Sequence, residues 1–151
     1  MDDVIKIKIE HEISRIDNLL NDVSPLLDLC RIKDQPDIIE ITAAAQVLHS
    51  FYNGVESIIV LIFKHMNEKL PNDLRWHKTL LEMAFGTNSQ NIKIFKNEQN
   101  KKLDDYLSFR HFIRHSYSSE LKWNVMGPLI KGIEDAWQIV KTDFRMFMES
   151  N

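Results

Sequence analysis

Apolar residues recur at the spacing of an amphipathic helix in three separate stretches of the chain. Within each stretch the steps alternate between four and three residues, which places the whole set on one face of a helix. The first stripe runs from Ile9 to Cys30, the second from Ile41 to Met66 and the third from Met126 to Phe147. Such stripes are typical of helices that bury one side in a core. No stretch alternates apolar and polar residues for long enough to indicate a strand, so we predict an all-α protein.

Prolines mark where these helices begin and end. Ser24 and Pro25 interrupt the first stripe, which predicts either a kinked helix or a helix that stops and restarts there. Pro36 and Pro71 bracket the second stripe, which should form the longest helix. Pro128 is expected in the first turn of the last helix, where its missing N–H does no harm.

Shorter elements are expected between the second and third stripes. A short helix should run from about Leu74 to Phe85 and end at Gly86. The segment from Thr87 to Asn100 is rich in Asn, Gln and Lys and is predicted to be a loop. A further helix should follow from about Lys101 to Ser118. With the three stripes, these segments predict a five-helix bundle in one domain that spans residues 1–151.

Composition narrows the class of protein. A hydrophobic fraction of 44% and a charged fraction of 27% fit a globular domain. The net charge of −3 argues against a broadly basic nucleic-acid-binding surface, so any such contact must be local. Cys30 is the only cysteine, which suits a reducing compartment. The chain shows no apolar run of signal-peptide length near its start, and we expect a cytoplasmic protein.

The fourth predicted helix breaks the separation between apolar and polar faces. Arg110, Arg114 and Tyr117 fall within the arc that its apolar residues form. A buried guanidinium is costly unless it is paired, so its position needs a reason. Either Arg110 forms an ion pair within the chain, or this face meets a second subunit. The candidate partners within the chain are Glu56, Asp104 and Asp105.

The same stretch contains side chains suited to phosphoryl transfer. Arginine is a planar cation that matches phosphate oxygens, and histidine can move a proton near neutral pH. RNA cleavage without a metal needs a base, an acid and a cation that stabilises charge at phosphorus. Arg110 and His115 are the candidates, but on a straight helix they would point about 140° apart. Two copies about a two-fold axis would line a shared cleft with both residue types, so we expect a homodimer.

His111 and His115 are four residues apart, a spacing at which two side chains can bind zinc. No cysteine, and no acidic residue at a supporting spacing, accompanies them. We therefore expect neither a metal nor another cofactor. His49 and Glu56, on the second helix, could contact Arg110 or remain solvated.

The order Arg110, four residues, His115, one residue, Tyr117 resembles the signature of HepT-like toxins, which belong to the HEPN superfamily of ribonucleases. The similarity extends along the second helix, before the predicted loop and around the motif itself. It covers nearly the whole chain, from about residue 5 to residue 148. The other residues that carry it are His49, Tyr52, Glu56, Trp76, His77, Leu80, Leu81, Met83, Phe109, His111, Glu120, Leu121 and Trp123.

The resemblance implies a HEPN-like homodimer with its catalytic cleft at the subunit interface. It implies metal-independent RNA cleavage by Arg110 and His115, with His111 as the polar residue that often follows the arginine. It implies a toxin–antitoxin pair whose antitoxin is a minimal nucleotidyltransferase of the MntA type. That antitoxin would transfer AMP to Tyr117, and phosphates beside Arg110 and Arg114 would then block the cleft. Transfer RNA is the target that the family suggests.

Two further functions are also compatible with these residues. The same side chains could hold RNA or a nucleotide without cutting it, in a non-catalytic dimeric partner of a nucleotidyltransferase. Alternatively, the protein could be a purely structural partner in which Tyr117 only accepts the modification.

Overall fold

The computed structural model describes residues 1–151 and is helical throughout, without a strand. This confirms the all-α prediction. The α-helices number seven rather than five, because two of the predicted helices are each divided. They are α1 (Asp3–Asp22), α2 (Ser24–Ile32), α3 (Ile38–His65), α4 (Trp76–Ala84), α5 (Leu103–Arg114), α6 (Trp123–Lys131) and α7 (Ile133–Ser150). Two 3-10 turns, Glu98–Lys102 and Ser118–Glu120, flank α5.

The first and last stripes are each interrupted by a single residue outside the helices. Val23 lies between α1 and α2, and Pro25 occupies the first turn of α2. The first helix therefore stops and restarts, as one of the two alternatives predicted. Gly132 separates α6 from α7. Since α6 begins at Trp123, Pro128 lies inside that helix, and its expected place in a first turn was wrong.

The central helix is α3, which has 28 residues and is the longest, as predicted. A capping box fixes its start: the Glu40 N–H donates to Asp37 Oδ1, and the Asp37 N–H donates to Glu40 Oε1. By length and composition α3 could cross a membrane, but more than half of its most apolar window is buried within the bundle. Helices α1, α4 and α5 pack around it.

Two contacts hold α1 against the rest of the bundle. At Gly54, helices α1 and α3 approach closely, since a Cβ added to Gly54 would lie 2.8 Å from Ile16 Cγ1. Farther along, Asp17 Oδ1 accepts hydrogen bonds from Trp137 Nε1 at 2.7 Å and from Lys141 Nζ at 2.9 Å. These bonds join α1 to α7.

The segment before α5 has no α-helix, as predicted for this loop, and α7 holds it in place. Phe95 is fully buried. The carboxylate of Asp143, itself buried, accepts hydrogen bonds from the backbone N–H groups of Lys96 and Asn97, each at 2.9 Å. It also accepts one from Asn100 Nδ2 at 2.7 Å. One carboxylate therefore satisfies three donors and fixes the path of the chain into α5.

The helix that carries the motif is shorter than predicted. Helix α5 ends at Arg114, and His115 leaves it with φ −116° and ψ 7°. Tyr117 precedes the second 3-10 turn. The angle derived for a straight helix therefore does not describe His115. Upstream, Gly86 follows α4 with φ +115°, the left-handed conformation expected of a glycine at a helix end.

Candidate active site

Arg110 is half-buried between α5 and α3, and it has no acidic partner. Its Nε donates a hydrogen bond to Asn53 Oδ1 at 2.6 Å. None of the ion pairs considered from the sequence forms. The carboxylate of Glu56 is engaged by His77, and that of Asp104 by Lys78. The guanidinium charge is therefore uncompensated within the chain.

A chain of hydrogen bonds runs from Arg110 through Asn53 to His49. Asn53 Nδ2 lies 3.0 Å from His49 Nε2. Because an arginine Nε can only donate, the amide oxygen of Asn53 must face it, and the amide nitrogen then donates to His49. His49 Nε2 must consequently accept, so the ring is neutral and carries its proton on Nδ1. Burial lowers the pKa of His49, and the positive charges of Arg110 and Arg114 lower it further.

Glu56 does not contact Arg110, so the supporting contact considered for it was wrong. The side chain is buried, and His77 Nδ1 donates to its two oxygens at 2.9 and 2.8 Å. The His77 ring stacks on Trp76 with its centroid 3.6 Å away. Glu56 therefore joins α3 to α4. Burial raises the pKa of the neighbouring Tyr52 hydroxyl, and the negative charge of Glu56 raises it further.

His111 and His115 lie together at the exposed end of α5. Their rings meet edge to face, with centroids 4.9 Å apart. The His115 backbone N–H donates to the Phe112 carbonyl, which places the residue on the last turn of the helix. The C-terminal end of a helix carries a partial negative charge, so attraction of phosphate to this end must come from the arginine and histidine side chains and not from the helix itself. No third His, Cys, Asp or Glu joins the pair as a metal ligand.

Arg114 and Tyr117 do not belong to a buried face, contrary to the sequence prediction. Both are exposed, and Tyr117 retains 81% of its accessible surface. Arg114 is the last residue of α5, and Tyr117 lies beyond it in the segment that leads to the second 3-10 turn. The backbone at Tyr117 is fixed, because its N–H donates to Glu120 Oε1 and its carbonyl accepts from the Glu120 N–H. The phenol is thus open to a second macromolecule.

An apolar groove of about 540 Å³ lies between α5 and α6. Phe112 and Val125 are 42% and 53% exposed there, next to Leu129. Asp105 and Lys122 line the same groove. Exposed aromatic and aliphatic side chains with opposite charges at their margin are typical of protein–protein interfaces.

Sequence analysis did not identify Asn53 as part of the site. The signal available was a polar row on an otherwise apolar helix, in which Asn53 lies four residues after His49 and three before Glu56. That spacing places the three on one face. It does not tell which of them reaches α5.

Comparison with known protein families gives one match. The model of a family described as HepT-like protein matches residues 43–151, which include most of α3 and all of α4 to α7. The matched span contains every site residue described above. No curated protein and no solved structure matches the chain.

Proposed function

The chain belongs to the HepT-like family of the HEPN superfamily, and from this premise we propose that it is a toxin that cleaves RNA without a metal. The family is associated with toxin–antitoxin pairs and with RNA targets. The observation that carries the proposal is the half-buried guanidinium of Arg110, which no carboxylate neutralises, on the same short helix that ends at the exposed His115. We place this activity in the cytoplasm.

In the proposed reaction Arg110 holds the scissile phosphate. Its two terminal nitrogens make no hydrogen bond within the chain, so both are free to contact phosphate oxygens and to stabilise charge as the 2′-oxygen attacks phosphorus. His115 acts as general acid or base. It takes the proton of the ribose 2′-hydroxyl or gives one to the 5′-oxygen as the P–O5′ bond breaks.

We propose that two copies assemble about a two-fold axis to complete the cleft. One chain supplies a single Arg110 and a single His115, whereas the reaction needs both an acid and a base. The apolar groove that contains Phe112 offers a surface for this contact, because it lies on α5, the helix that carries Arg110. In a symmetric pair, Asp105 of one copy can meet Lys122 of the other.

RNA cleavage by the purified protein in the presence of EDTA tests the proposed activity. We expect the wild type to cleave, and His115→Ala to lose about 10²- to 10⁴-fold in rate, the usual contribution of a general acid or base. His11→Ala removes an exposed histidine of α1 and should cleave like the wild type. Equal rates for the wild type and His115→Ala would reject the assignment.

The same assay separates the non-catalytic alternative. A binding module would retain RNA on the wild type and lose it in Arg110→Ala, without producing new RNA ends. Transfer RNA is the first substrate to examine, and the position of the cut is read from the ends produced.

We propose further that an MntA-like nucleotidyltransferase neutralises the toxin through Tyr117. The exposed phenol would attack the α-phosphorus of ATP and release pyrophosphate, which leaves AMP on the tyrosine. The added phosphate beside Arg110 and Arg114 would compete with RNA. We expect mass spectrometry to show AMP on Tyr117 after incubation with the transferase and ATP. Tyr117→Phe should stay unmodified and continue to cleave, and an unmodified wild-type Tyr117 beside an active transferase would remove this step.

A further inference from the structure

We propose that Asn53 is a positioning residue for Arg110, and that its neutral amide leaves the full guanidinium charge for a substrate phosphate. The inference rests on the proposed function, because it concerns how the site meets RNA. It assigns a role on α3, away from the arginine–histidine–tyrosine motif on and after α5.

Arg110 is bound by a neutral side chain and not by a carboxylate. A half-buried arginine is normally paired with a carboxylate, since unpaired burial of charge is costly. Arg110 instead has Asn53 as its only side-chain partner, at 2.6 Å. Carboxylates are present nearby, but Glu56 is bound by His77 and Asp104 by Lys78. Those two pairs leave the arginine with a neutral acceptor.

The bond to Asn53 also restricts the orientation of the Arg110 side chain. A hydrogen bond at Nε restricts rotation of the guanidinium, and its two terminal nitrogens have no hydrogen-bond partner within the chain. Asn53 cannot rotate its amide freely, because its nitrogen is bonded in turn to His49 Nε2 at 3.0 Å. The arginine is therefore oriented before substrate binds, which lowers the cost of ordering it.

The charges around His49 come from both α5 and α1. Arg110 and Arg114 face His49 from α5, and Glu12 and Arg15 of α1 line the groove on its other side. The neutral His49 adds no positive charge and needs no counter-ion. Asn53 and His49 together thus form a neutral support behind Arg110.

Substitutions at position 53 distinguish the effect of orienting Arg110 from the effect of a charge beside its guanidinium. Asn53→Asp has the same shape and still accepts the Arg110 Nε hydrogen, but it brings a negative charge to the guanidinium. Asn53→Ala removes the acceptor altogether. Gln46→Ala is the matched control, because Gln46 is an exposed polar residue of the same helix that bonds only to Ser50.

Binding of uncleavable 2′-O-methyl RNA measures the charge effect without any cleavage. Measured above the pH range in which His49 of the variant titrates, so that no imidazolium offsets the new carboxylate, Asn53→Asp is expected to weaken binding about tenfold and to reduce the slope of log Kd against log salt by about one, as loss of one phosphate contact does. Arg110→Ala should do the same, and Gln46→Ala should match the wild type. If Asn53→Asp binds like the wild type with an unchanged slope, neutrality at this position has no role and the inference is overturned.

Two further measurements locate the effect. The His49 ring, followed by NMR, should titrate below a free histidine in the wild type and above it in Asn53→Asp, since a carboxylate would then face Nε2. An unchanged titration would show that the contact does not exist. In cleavage assays Asn53→Ala should lower kcat about 10- to 100-fold, the effect of a misplaced catalytic group. Failure of the wild type to cleave would reject the proposed function and leave the binding and NMR results to decide the role of Asn53.

Discussion

Arg110 and Asp17 are both ionised side chains at contacts between helices, and they have different kinds of hydrogen-bond partner. Asp17 is met by two donors from α7, one of them the cationic Lys141. Arg110 is met by one neutral amide. The first arrangement binds two helices together, whereas the second keeps a charge available to a ligand.

The Asp17 contact has a consequence for acid stability. Burial alone would raise the pKa of Asp17, but the hydrogen bonds from Lys141 and Trp137 outweigh it and lower the pKa. With a folded-state pKa below the unfolded one, the stabilisation is complete above about pH 4 and is lost as the pH falls through the folded value. Asp17→Asn should therefore cost about 1 kcal/mol in urea unfolding at pH 7, a figure reduced for partial exposure, and less below pH 4.

Asp28→Asn provides the control for this experiment. Asp28 is 70% exposed and pairs with Arg31 on the surface of α2, where an ion pair contributes little. An Asp17→Asn cost that stayed constant from pH 7 to pH 3 would contradict the role given to its ionised form.

The motif residues could be proposed from the sequence alone, because their spacing is itself the signal. Arg110, His115 and Tyr117 could be named before any fold was known. Asn53 and His77 could not be assigned partners, because their contacts join helices that are distant in the chain. Periodicity tells which face a residue occupies, and only packing tells what that face meets.

At the scale of helices, the close contact of α1 with α3 depends on a missing side chain. Gly54→Ala would place a methyl group 2.8 Å from Ile16 Cγ1 and 2.9 Å from Ile16 Cδ1. Alanine favours the helix by about 1 kcal/mol, but overpacking in a tight contact costs about 1–3 kcal/mol. We expect a net loss of about 1 kcal/mol in the free energy of unfolding, measured in urea.

Ile16→Ala tests whether the contact is the cause. It removes the two carbon atoms that the new methyl would meet, so the loss in the double variant should be smaller than the sum of the two single losses. Strict additivity would mean that Gly54 is not required for close packing at this point.

The stripes predicted helical faces more reliably than helical limits. A stripe continues across Val23 and Gly132 because two short helices in line present the same face on either side of a break. Periodicity therefore merged four helices into two. The end of α5 was misplaced for a related reason: Tyr117 fitted the arc of the helix, but residues 115–120 lie mostly exposed beyond its last turn.

At the scale of the molecule, the groove between α5 and α6 gives the proposed dimer a specific test. Phe112→Asp should weaken self-association at least about thirtyfold in sedimentation equilibrium, as loss of a central aromatic anchor does (about 2 kcal/mol). Ile39→Asp is the control, because Ile39 is 77% exposed on the first turn of α3, outside the groove. Equal association of the two variants would exclude this face as the interface.

The hydrogen bonds between Asp143 and the segment before α5 determine which side chains of that segment can be substituted. Two of its three bonds go to main-chain N–H groups, which every amino acid except proline supplies. The exposed side chain of Lys96 can therefore be replaced without altering the course of the segment, whereas Asn97 is needed, because its Oδ1 accepts a hydrogen bond from the Gln99 N–H. We expect this stretch to accept new surface chemistry at little cost to folding, which makes it a suitable place for introducing labels or altering specificity.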